Sequence, residues 1–67
     1  MHLEEHYVTL TLNRLLEDIT VEMMSNNGTN WRVVRALDED GYECSISKHE
    51  KNLLEARASL GEDESGV

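Results

Sequence analysis

The chain has no proline and no phenylalanine, a single cysteine, and fewer than half as many basic as acidic side chains. Each shortage removes a possibility. Cys44 alone cannot close an internal disulfide, and no Cys/His spacing suits a structural metal, so neither staple of small secreted domains is present. No apolar run approaches the roughly 20 residues of a membrane-spanning helix. Near the N-terminus stand Glu4 and Glu5, where an export signal would carry Lys or Arg. A cytoplasmic location with no membrane partner is the expectation. With 14 Asp and Glu against 6 Lys and Arg, the formal charge of −8 repels a phosphate backbone, which excludes nucleic acid as the expected direct ligand. There is no glycine-rich phosphate loop, no Ser/His/Asp spacing and no basic aromatic patch, so neither an enzyme nor a cofactor is expected.

What is there fits one small α+β domain. A chain of 67 residues buries only about 60% of the surface its unfolded form exposes, which leaves little margin for a monomeric core. Residues 19–24 and 31–37 are apolar-rich and flank Ser25, Asn26, Asn27, Gly28, Thr29 and Asn30, a stretch suited to a turn, and so predict a hairpin. With Ser25 facing Trp31, Met23 faces Val33 and Ile19 faces Leu37. An acidic turn, Asp38, Glu39, Asp40 and Gly41, then leads into residues 42–46, where Tyr42, Cys44 and Ile46 alternate onto a common face. A three-stranded antiparallel meander results. Ser47 and Glu50 form an S-x-x-E capping box, and Gly61 offers a stop, which predicts a helix over about residues 48–60. Its apolar stripe runs through Leu53, Ala56 or Arg57, and Leu60. Residues 1–61 form the domain, and 62–67 read as a disordered acidic tail.

The first third admits two readings. As a helix over about residues 3–17, Val8, Leu12, Leu15, Leu16 and Ile19 share a face. As a strand from His6 to Leu12, followed by a helix capped by Asn13, Val8, Leu10 and Leu12 alternate with Thr9 and Thr11. The helix is preferred because a short sheet needs a cover and Leu15 and Leu16 would otherwise lie in an exposed turn. Strict alternation in residues 31–37 puts Trp31, Val33 and Leu37 on one face and Val34 and Ala36 on the other, so a second covering layer is required. Either two helices on opposite faces or a twofold-related copy would supply it.

Candidate chemistry reduces to charge. Aligning Asp38, Asp40 and Gly41 with a calcium loop leaves Ala36 and Ser47 at essential ligand positions. His2, His6 and His49 lack the partners of a metal site, and Cys44 alternates into the core without a neighbouring base. The carboxylates fall in blocks: Glu4 and Glu5; Glu17, Asp18 and Glu22; Asp38, Glu39, Asp40 and Glu43; Glu62, Asp63 and Glu64. The turn and tail blocks contain no basic residue, because Arg14, Arg32, Arg35, Lys48, Lys51 and Arg57 lie in the apolar-rich elements. Such blocks project nearly pure negative potential suited to a positively charged groove.

In its shortness, its acidity, its lack of proline and its lack of catalytic residues, the chain resembles the small host-takeover proteins of bacteriophages. Among them it is similar to the inhibitors of the histone-like nucleoid protein HU that mimic DNA. The resemblance implies carboxylates standing in for phosphates on the basic surface of an HU-like partner, which binds DNA through backbone charge and minor-groove deformation. The expected contact residues are Glu17, Asp18, Glu22, Asp38, Glu39, Asp40 and Glu43. The alternative is a small interaction module regulating a host enzyme such as RNA polymerase through the apolar face of the Trp31 strand. A more distant one is a structural subunit kept soluble by its charge. A two-faced strand and a core without phenylalanine lead to the expectation of a homodimer built on Trp31, Val33 and Leu37. Sedimentation at micromolar concentration should give about twice the 7.7 kDa chain mass.

Overall fold

The computed structural model describes residues 4–61. Strand β1 (His6–Asn13), strand β2 (Asp18–Ser25), strand β3 (Arg32–Leu37) and helix α1 (Lys48–Ser59) follow one another in that order. The strands form an antiparallel sheet in the order β1-β2-β3, with β2 central and β1 on an edge. The fold is thus α+β, and residues 62–67 of the expected tail lie outside the described residues.

The N-terminal segment is the strand and not the preferred helix, and no helix follows Asn13. The reason lies in the alternation. Leu10 and Leu12 pair with Val21 and Ile19, and all four side chains are buried on one face, while Thr9 and Thr11 pair outward with Glu22 and Thr20. A helix would have gathered Leu15 and Leu16 to the core but left β2 without a partner for half its backbone groups, which is the larger cost. Residues 14–17 instead form the hairpin turn, with the Arg14 amide donating to the Glu17 carbonyl at 3.1 Å.

The expected pairing of β2 with β3 holds at Met23 and Val33 and then slips by one residue. Glu22 faces Arg35, Val21 faces Ala36, and Thr20 rather than Ile19 faces Leu37, because Val34 is an extra residue in a bulge. The bulge changes which side chains share a face. Val33 and Ala36 both turn to the core, Val34 is exposed, and Leu37 lies on the opposite side. Trp31, Val33 and Leu37 therefore do not form one face: Trp31, Val33 and Ala36 pack toward the core, while Leu37 lies away from it and Val34 is exposed.

The third expected strand, residues 42–46, shrinks to a single bridge between Leu37 and Glu43, with the Cys44 amide donating to the Ala36 carbonyl at 2.9 Å. The chain must leave the sheet here to reach the helix cap, and the Arg14 guanidinium holds the Ser45 carbonyl at 2.9 Å as it departs. Cys44 and Ile46 pack against the core, whereas Tyr42 is exposed.

Helix α1 begins with the expected capping box. The Ser47 hydroxyl accepts from the Glu50 amide, and the Glu50 carboxylate accepts from the Ser47 amide at 2.8 Å. Gly61, at φ 89°, ends it in the left-handed region that glycine enters freely. The buried stripe is Leu54 and Ala58, not Leu53, Ala56 and Leu60, of which Leu53 and Leu60 are half to largely exposed. Glu50 fixes that rotation. It lies one turn before Leu54 on the same face and is tied to Arg14, so the row Glu50, Leu54, Ala58 must face the sheet. Farther along, Arg57 donates to the Thr11 carbonyl of β1 at 3.1 Å.

The core comprises Leu10, Leu12, Ile19, Val21, Met23, Ala36, Leu54 and Ala58. Leu10→Ala should therefore cost about 2–5 kcal/mol, a large part of the stability of so small a domain. Leu15→Ala should change stability by less than about 0.5 kcal/mol, because that side chain touches nothing in the fold. Urea melts of the two variants beside the parent check the contrast, and equal midpoints would contradict the strand assignment of β1.

Candidate partner-binding site

Strand direction brings together acidic blocks that are far apart in sequence. Strand β1 ends where β2 begins, and β3 runs back to place Leu37 opposite Thr20. The turn at residues 14–17 and the connection after β3 consequently share one end of the sheet. Glu17, Asp18, Asp38, Glu39, Asp40 and Glu43 all lie there. Glu22 does not join them, because it stands farther along the outer face of the sheet, where its carboxylate accepts from Arg35 Nε at 3.1 Å. That contact, with a weaker contribution from Glu43, holds the Arg35 guanidinium more firmly protonated than usual.

The carboxylates at this end differ in freedom. Asp38 Oδ1 accepts the amides of Asp40 and Tyr42, both at 2.9 Å, and so shapes the turn, with Gly41 at φ 89° completing it. Asp18 Oδ1 accepts from Asn13 Nδ2 at 2.9 Å across the base of the β1–β2 hairpin. By contrast, Glu39, Asp40 and Glu43 are exposed, and their carboxylates take part in no salt bridge or hydrogen bond among the described residues. They are available to an incoming cation without first giving up a partner.

The arginine of the hairpin turn is already engaged. Arg14 holds both oxygens of Glu50, at 3.0 and 3.3 Å, and the Ser45 carbonyl. This bidentate grip locks the hairpin turn to the helix N-terminus, with Glu17 adding a weaker attraction at the same guanidinium. The Ser47 amide first and the Arg14 guanidinium second hold the Glu50 carboxyl below its ordinary value of 4.5.

Three exposed apolar side chains stand among these carboxylates: Leu15, Leu16 and Tyr42. Sequence reasoning misses them as site residues, since the helix reading places the leucines on a helix face and alternation places Tyr42 on the inner face of a strand. The signal that finds them is an extended reading of residues 6–12 with no helix after Asn13, which leaves the two leucines in the turn between strands.

Trp31 and Val33 are packed against the core, and Leu37 is partly buried beside Thr20. At the other end of the sheet, Ser25, Asn26, Asn27, Asn30, Trp31 and Arg32 line an open cavity of about 300 Å³. The turn beside it is built by side chains: Ser25 Oγ accepts the amides of Asn27 and Gly28, and Asn27 Oδ1 those of Thr29 and Asn30. Among the described residues no group of three or more His, Cys, Asp or Glu side chains is placed to hold a metal ion. None of the described helices is long and apolar enough to cross a membrane. No protein-family model, curated protein or solved structure matches the chain.

The Glu50 junction has a pH signature. A carboxyl whose folded value is lowered contributes stability that is present in full above its unfolded value and is lost as pH falls through the folded one. Glu50→Gln should be less stable than the parent at neutral pH, and the gap should close as pH is taken well below 4.5. Urea midpoints across that range measure it; a gap independent of pH would show that the ionised carboxylate is not what links turn and helix.

Proposed function

We propose that the chain is a non-enzymatic DNA mimic of the bacterial cytoplasm. Its acidic end occupies the basic DNA-binding surface of an HU-like nucleoid protein and excludes DNA by competition. The observation that supports this reading is the convergence of Glu17 and Asp18 with Asp38, Glu39, Asp40 and Glu43 at one end of the sheet, where the local arginine is consumed by Glu50. A partner that reads DNA through backbone charge is met by carboxylates in the place of phosphates, and needs charge more than base-like shape. Glu22, paired with Arg35, contributes less than the unpaired residues. The alternative through the Trp31 strand is less well served, since Trp31 and Val33 lie against the core.

Position then matters, and not only total charge. The variant E39Q/D40N/E43Q keeps Asp38, whose carboxylate forms the turn, and removes three unpaired charges from the site. Its control, E62Q/D63N/E64Q, removes three charges elsewhere in the sequence. In displacement of labelled duplex from purified HU, the first variant should weaken inhibition roughly tenfold or more and the control only slightly. Added salt should weaken the parent steeply. Equal losses in the two variants would reduce the effect to net charge, and absence of displacement by the parent would dismiss the mimic.

A further inference from the structure

The tip of the β1–β2 hairpin carries two adjacent leucines that the fold does not use. Leu15 is 100% exposed and Leu16 93%. Turns favour Gly, Asn, Asp or Ser, whose local hydrogen bonds or tolerance of positive φ suit the bend. Here no residue of the turn at 14–17 has positive φ, so the bend places no special backbone demand on its residues. The tip is nevertheless well held. Asn13 and Asp18 are joined across its base, Arg14 and Glu17 close its backbone, and the Arg14 guanidinium fastens it to Glu50 and Ser45. Two apolar side chains are thereby presented to solvent on a braced support, at no gain to folding.

We propose that Leu15 and Leu16 are the apolar anchor of the acidic end. They insert into an apolar pocket of the protein partner whose rim carries Lys and Arg side chains. This inference rests on the reading of that end as the binding surface. Charge selects the occupant. Glu17 and Asp18 directly follow the leucines, and Asp38, Glu39, Asp40 and Glu43 lie at the same end of the sheet. A second copy approaching tip to tip would bring the same carboxylates against them, and an anionic bilayer would repel them. A pocket ringed by cations meets both parts of the surface at once. The arrangement has the anatomy of an interface hot spot, with a desolvated apolar centre inside a charged rim. Carboxylates alone mainly speed encounter and set register, whereas apolar burial slows departure.

The test uses the full chain, purified bacterial HU and a fluorescent DNA duplex. The variant L15S/L16S should melt with the parent, since neither leucine is packed, yet require at least roughly 30-fold more protein to displace the duplex. Its salt dependence should match the parent's, because no charge has changed. L15A/L16A is measured alongside and should show a comparable loss, because it removes the same apolar surface without adding a hydroxyl that could reshape the turn. Undiminished displacement by L15A/L16A, whatever the serine variant does, would overturn the anchor while leaving the acidic end as the binding surface. Failure of the parent to displace the duplex would overturn both. Sedimentation of the parent, but not of L15S/L16S, with phosphatidylcholine vesicles would overturn the protein pocket in favour of a bilayer.

Discussion

Glu50 is the carboxylate on which the remaining geometry hangs. It accepts the Ser47 amide, which starts α1, and both ends of the Arg14 fork, which ties that start to the β1–β2 turn. From that one point follow the rotation of the helix, the burial of Leu54 and Ala58, and the covering of β2, whose Ile19, Val21 and Met23 form the middle of the core. The junction is only partly shielded from water, so its importance lies in orientation more than in raw attraction. At the far end of the helix the Arg57 reach to the Thr11 carbonyl and the Ser59 reach to the Thr29 carbonyl hold the same orientation.

Much of this fold is legible in the sequence because its signals are local. The Ser47 and Glu50 box, the Gly61 stop, the turn at residues 25–30 and the pairing of Met23 with Val33 all depend on residues close together in the chain. What was not legible depends on distant partners. The Val34 bulge is decided by what β3 must present to the helix and to β2 together, and no local pattern announces it. Residues 6–13 fit both a strand and a helix period, and only their pairing with β2 decides for the strand. The same choice set the helix stripe, since the partner that orients Glu50 is Arg14, reached only when residues 14–17 form a hairpin turn.

The acidic residues of the site were legible individually, but their convergence was not. Linear spacing separates Glu17 and Asp18 from Asp38 and Glu43, and only the up-and-down course of the meander returns them to the same end. Pairing also divides residues that look alike in a charge count: Glu22 is neutralised by Arg35, Asp38 shapes its own turn, and Glu39, Asp40 and Glu43 stay open. Acidity is thus a property of the whole composition, whereas the capacity to receive a basic partner belongs to a few side chains left over by the fold.

Strand β1 lies at the edge of the sheet, free of proline, and alternates threonine with leucine over part of its length. Edges of this kind template the addition of further strands, and proteins usually blunt them with lysine, proline or a cover. Here the Arg57 reach to the Thr11 carbonyl supplies a local cover. The wider protection is colloidal: every chain carries the same charge of −8, so two edges repel one another before their backbones can align. The acidity therefore serves the molecule even without a partner, by keeping an aggregation-prone strand apart from its own copies, and screening by concentrated salt weakens that safeguard.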